Sequence, residues 1–109
     1  MMTKQLQPIT PGEVLLEEFL LPLNISQSSL SRDMNISLRR INEICHGRRA
    51  ITPDSALRLS TYFGVSAEFW LMLQQRYELE ILRDKEEAHL KKEIRSFSGI
   101  LGDVSFKGI

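Results

Sequence analysis

Arg39, Asn42, Glu43 and His46 carry planar or charged hydrogen-bonding heads within one short stretch, and Arg48 and Arg49 follow directly. Placed on a helix at about 100° per residue with Ile41 at zero, Ile44 falls at about 300°, so the buried direction lies near 330°. Arg39 then projects at roughly 160°, Glu43 at 200°, His46 at 140° and Asn42 at 100°, all away from the apolar side, with Arg40 flanking at roughly 260°. Arginine and asparagine heads of this kind pair bidentately with purine edges, and a carboxylate accepts from a cytosine amine. Residues 26–63 hold Arg32, Arg39, Arg40, Arg48, Arg49 and Arg58 against Asp33, Glu43 and Asp54, an excess of three positive charges. All these cations are arginine, whose rigid fork suits phosphate and guanine better than a lysine ammonium. The chemistry implied is recognition of a nucleic-acid duplex.

Other chemistries find less support. The chain has two histidines and one cysteine. Cys45 and His46 are adjacent, so on a helix they point about 100° apart and cannot form a zinc pair. No glycine-rich phosphate loop is present, and the carboxylates fall mostly on helix surfaces. No catalysis, metal or cofactor is expected. The 109 residues suit one domain or a domain with an appendage. Apolar residues make up 42%, enough to bury a core. A single cysteine excludes an internal disulfide framework and fits a reducing compartment. The apolar runs are too short to span a membrane, and the polar start, Met1 to Pro8, lacks a signal core, so the expectation is a cytoplasmic protein with no membrane partner. Fourteen basic residues balance fourteen acidic ones, which argues against a strongly basic nucleic-acid wrapper but not against a local basic face.

The elements that must position these side chains read as helices with sharp stops and no alternating strand pattern. Thr10-Pro11-Gly12-Glu13 forms a cap, a proline at the first helical position and a capping box; this helix is expected to end near Leu21, before Pro22 and Asn24. Ser26 caps a second helix to about Met34, closed by Asn35, a residue that tolerates the left-handed conformation. A third runs from about Ser37 to Cys45 and is closed by Gly47. Ser37 itself points near the core side, at roughly 320°, and reads as a cap or phosphate contact. Thr52-Pro53-Asp54 opens a fourth helix, which Gly64 ends, and Ser66 caps a fifth. Residues 67–97 contain neither proline nor glycine and read as one long helix, or one interrupted near Arg83 to Glu87. The spacing thus predicts an all-α architecture of five helices with an extended C-terminal helix: a DNA-binding unit over 1–75, a helical extension over 76–97 and a loosely ordered tail over 98–109. Cys45, Phe69, Trp70 and Leu73 are expected in the core, with the apolar residues from Trp70 to Leu82 shared between core and a dimer surface.

The second and third helices, joined by a tight turn at Asn35-Ile36, form a helix-turn-helix. The unit resembles that of phage repressors and Cro. More closely, Pro8 to about Tyr77 resembles the HigA-type antitoxins and VapI-like regulators. The resemblance rests on Ile9-Thr10-Pro11-Gly12-Glu13 with Glu17-Glu18-Phe19-Leu20; Arg40-Ile41-Asn42-Glu43-Ile44 before Gly47-Arg48-Arg49; Ile51-Thr52-Pro53-Asp54 with Ala56-Leu57-Arg58-Leu59; and Tyr62-Phe63-Gly64 with Ser66-Ala67-Glu68-Phe69-Trp70-Leu71. It implies a homodimer that binds a palindromic operator, represses its own operon and, in many members, neutralises a RelE-like mRNA-cleaving toxin. Carried onto this chain, it implies phosphate contacts at Gln27 and Ser28, major-groove entry at Ser37, Leu38, Arg39 and Glu43, and flanking or backbone contacts at Arg40, Asn42, His46, Arg48 and Arg49. Asn24 and Asn35 stand where the family usually has glycine, and Ser31 where it usually has alanine.

These observations predict a sequence-specific repressor in which Arg39 is the main reader of guanine. Two alternatives remain open from sequence: a stand-alone regulator without a toxin, and an interaction module that no longer binds DNA. Glu43 either pairs with Arg39 or Arg40 or accepts from a base, and His46 either flanks DNA or closes its helix against the dipole.

Overall fold

The structure, a computed structural model, describes residues 7–97. Every regular element among them is helical: α1 (Pro11–Val14), a π-helical turn and a half (Leu15–Leu20), α2 (Leu21–Leu23), α3 (Gln27–Met34), α4 (Leu38–Cys45), α5 (Pro53–Phe63) and α6 (Ala67–Glu93). The first three run on without a break, so the chain makes five helical rods, as the sequence pattern predicts.

Each rod starts with the cap its sequence specifies. Thr10 Oγ1 accepts from Glu13 N while Glu13 Oε1 accepts from Thr10 N, closing the capping box. Ser26, Ser37 and Ser66 each accept from the amide three residues on, and Thr52 and Ser55 cap α5 reciprocally. Asn24 and Asn35 adopt the left-handed conformation at φ 55° and 56°. Behind each of them an amide reaches five residues back, Ile25 to Leu20 and Ile36 to Ser31, which satisfies carbonyls the helix leaves open.

Two details differ from the sequence reading, and a third decides between alternatives it left open. The first rod extends past Pro22 to Leu23. Proline has no N–H and its ring collides with the carbonyl four residues back, that of Glu18; the wider π winding just before it opens that turn, with Leu21 N donating to Leu16 O. The last rod is uninterrupted through Arg83 to Glu87, where charge alternates on a propensity-rich stretch. It stops at Glu93 rather than near Phe97, because Ile94 turns to extended backbone and neither Ile94 nor Phe97 finds an apolar surface to pack on. Residues 98–109, the tail expected to be loose, lie outside the described residues.

The core joins all five rods: Leu15 and Leu20, Leu30 and Met34, Ile41, Ile44 and Cys45, Ile51, Ala56 and Leu59, and Trp70. Phe19 lies 4.9 Å from Phe63 and 5.0 Å from Trp70 between ring centroids, an aromatic knot that seats the start of α6. Cys45 is buried, as expected of a small core residue, and burial pushes its thiol up to about 11. Past Gln74 only Tyr77, Ile81 and Glu86 of α6 are part-buried, and Leu79 and Leu82 are exposed. Gln74 itself is buried; its Oε1 accepts from Ile51 N at 2.8 Å and its Nε2 donates to Glu78 at 2.8 Å. Through this contact α6 holds the α4–α5 loop, which carries Arg48 and Arg49.

Candidate nucleic-acid interface

The helix pair α3–α4 is held at its turn by two side-chain bonds to backbone. Ser31 Oγ donates to Ile36 O at 2.6 Å, so the small residue where the helices meet also closes the turn. Arg58, on α5, donates from Nη1 to Met34 O at 2.8 Å, covering the C-terminal carbonyls of α3 with a charge that suits the helix dipole. From the other side Gly12 of α1 lies against α4: a Cβ there would sit 1.8 Å from Ile44 O. Only a residue without a side chain allows that approach.

With α4 seated on Ile41 and Ile44, the far side is open. Leu38 is exposed at its start, and Arg39 is 85% exposed. Arg39 Nε donates to Glu43 Oε2 at 3.0 Å, and Arg49 Nε donates to Glu43 Oε1 at 2.8 Å. Glu43 therefore pairs with Arg39, one of the two partners weighed for it, and with Arg49 in place of Arg40. These two guanidiniums, Arg49's first, hold its carboxyl below the usual carboxylate range. Asn42 Nδ2 donates to Gln27 Oε1 at 3.3 Å, tying α4 to the start of α3, while Ser28 is exposed on the first turn of α3. His46 closes α4, its Nδ1 bonded to Asn42 O at 2.8 Å, which places the hydrogen on Nδ1. Ser37 is the α4 cap. Arg48 is exposed.

Arg40 stands apart. It is 27% exposed and its Nη2 donates to Asp54 Oδ2 at 2.9 Å. The same oxygen accepts from Arg58 Nε at 3.0 Å. The bonds from Arg58 and Arg40 hold the Asp54 carboxyl below its ordinary value. The fold thus brings Arg39, Glu43 and Arg49 into one cluster, and Gln27, Asn42 and His46 into a second beside it. It turns Arg40 toward α5. Asp54 and Arg58 were not among the sequence-predicted site residues. Their i,i+4 acid-to-arginine spacing on α5 marks an ion pair, but the approach of α5 to the turn is tertiary and leaves no local trace. Among the described residues no three His, Cys, Asp or Glu side chains gather as a metal would require.

Residues 16–70 match the helix-turn-helix family. The chain is 41% identical over 87 residues to virulence-associated protein I of Dichelobacter nodosus, covering 79% of this chain and 81% of that one. This chain belongs to the helix-turn-helix family of HigA- and VapI-like proteins. Among solved structures, Pseudomonas aeruginosa antitoxin HigA, determined with the higBA promoter, superposes with a TM-score of 0.80 at 38% identity, over 83% of this chain and 98% of that one. An addiction module antidote protein of the HigA family from Coxiella burnetii gives a TM-score of 0.79 at 37% identity, over 84% and 99%. The resemblance read from sequence and the all-helical fold therefore both hold in this HigA-like protein, and no helix among its described residues is long and apolar enough to cross a membrane.

Proposed function

We propose that this protein is a sequence-specific DNA-binding repressor and antitoxin that binds a palindromic operator upstream of its own coding sequence. The observation that carries the reading is the outward face of α4: Leu38, Arg39 and Glu43 stand clear of a core that fixes the helix at both ends, and Arg48 and Arg49 flank it. The α4 helix enters the major groove, Arg39 reads guanine, and Glu43, Leu38 and Ser37 face neighbouring base steps. Gln27 and Ser28, at the start of α3, meet the backbone phosphates with that helix's free amides. Asn42, His46, Arg48 and Arg49 contact sugar and phosphate. Arg40 serves at the edge of this surface, restrained by Asp54.

A single unit of this size gains too little over nonspecific DNA, so two copies bind two half-sites roughly 34–36 Å apart. Met72, Leu79 and Leu82 are 63%, 47% and 51% exposed on α6, apolar surface for the second copy. The unit over 1–75 carries DNA, and the pairing surface runs from its last turn into the extension over 76–97. Outside residues 26–63 the chain has eight basic against eleven acidic residues, a surface suited to a basic RelE-like toxin. The protein works in the cytoplasm, without catalysis or cofactor. A gel shift at physiological salt tests the reading, using the region upstream of its own gene beside a scrambled duplex of equal composition. Retardation of the first at concentrations that leave the second free is expected; equal retardation of both, or of neither, overturns it.

A further inference from the structure

Glu43 is the anomaly of the α4 face. A carboxylate at the centre of a surface meant for phosphate repels it, yet here it is the best-bonded side chain of the cluster. One oxygen takes Arg39 Nε at 3.0 Å and the other takes Arg49, through both Nε and Nη2, at 2.8 Å. The two guanidiniums come from different elements, the first turn of α4 and the loop after it. The Arg39 bond is the i,i+4 pairing of neighbours along α4; the Arg49 bond from the loop is not, and it occupies the second oxygen. Arg48, beside Arg49 in the same loop, makes no ion pair among the described residues and is exposed.

We infer that Glu43 is a specificity-determining residue that acts as an internal stand-in for phosphate, holding Arg39 and Arg49 neutralised until a correct base edge draws Arg39 away. The inference rests on α4 being the groove helix. A nonspecific phosphate must displace a carboxylate oxygen already bonded to each arginine, and its approach brings phosphate toward a carboxylate. Nonspecific binding therefore loses two of its cations. At a matching site the exchange closes. Arg39 moves to guanine O6 and N7, and the carboxylate it leaves accepts from the amine of a cytosine or adenine. Arg39 and Glu43 are four residues apart on α4, about 6 Å of rise, so that amine lies one or two base steps from the guanine.

The test uses the full chain, its Glu43→Gln variant and the Glu43→Gln/Arg49→Ala double variant. Circular dichroism first establishes that all three fold alike. Fluorescence anisotropy then follows binding to the upstream duplex and to a scrambled duplex from about 50 to 200 mM KCl. Each phosphate contact adds about 0.9 to the logarithmic salt slope. Freeing two arginines should therefore make binding of Glu43→Gln to the scrambled duplex tighter at low salt, raise its salt slope by about 1.8 and make its affinity loss across that range about tenfold larger. Its preference for the upstream duplex should narrow, and the double variant should lose about half of the added slope. Glu43→Gln binding the scrambled duplex no tighter than the parent, with an unchanged slope, overturns the inference while leaving the repressor reading intact. A parent that shows no preference between the duplexes removes both.

Discussion

Gly12→Ala isolates the contact that seats α4. The added Cβ would meet Ile44 O at 1.8 Å, Ile44 C at 2.7 Å and Cys45 Cα at 2.9 Å. All three are backbone atoms of α4, which no rotamer change can move. Restoring ordinary contact requires α1 and α4 to separate by roughly 1.5 Å, at the upper end of the 1–3 kcal/mol typical of overpacking. Alanine returns up to about 1 kcal/mol through its helix propensity, leaving a net loss of about 2 kcal/mol. For a domain of this size that lowers Tm by roughly 8–16 °C. The clash also tips Ile44, and with it the face that carries Arg39, so preference for the upstream duplex should fall as well. Thermal melting by circular dichroism and the anisotropy titration read the two effects. A variant that melts with the parent and keeps its preference would refute the placement of α1 on α4.

Other outcomes follow from the same contacts. Arg58→Gln removes the bond to Met34 O and the pair with Asp54; with the side chain 38% exposed, solvent discounts the charge–charge part, and a loss of about 1 kcal/mol is expected in denaturant melts. Glu43 and Asp54 titrate below their ordinary values when folded, so the stability they supply is present above the ordinary carboxylate pKa and is lost as pH falls through the lowered one; Asp54→Asn should flatten the acid limb of a stability–pH profile. Cys45 has the opposite sense: its thiol ionises near 9.0 when unfolded and about 11 when folded, so stability should decline by about 1 kcal/mol per pH unit as pH rises across that window. Cys45→Ala should remove that decline, and thiol reagents should label the parent only as it unfolds.

What was legible in the sequence was local. Thr10, Ser26, Ser37, Thr52 and Ser66 sit where caps must, because cap chemistry reaches only three residues, and Asn24 and Asn35 close helices on conformational grounds alone. The angular arrangement of α4 was legible too: Ile41 and Ile44 define its buried side, and Arg39 and Glu43 project opposite. What required tertiary neighbours was not. Arg40 flanks the face on a helical wheel, and only the approach of α5 shows that Asp54 claims it. Gly12 reads as part of a cap until α4 is packed against it. Gln74 carries no signal in the sequence, and only the packing of α6 places its amide oxygen on the Ile51 N–H. The π winding before Pro22 and the end of α6 at Glu93 depend on a steric conflict and on a missing surface, neither of which is a pattern of residue types.

The central claim is that α4 reads sequence through Arg39. Binding of the parent and Arg39→Ala to a panel of upstream duplexes, each with one base pair of the palindrome changed, tests it most directly. The account predicts a loss of about 1–3 kcal/mol on the intact site and relaxed discrimination at one guanine per half-site, with the other positions unaffected. If Arg39→Ala instead keeps the parent's full preference at every position, α4 does not read DNA through this residue.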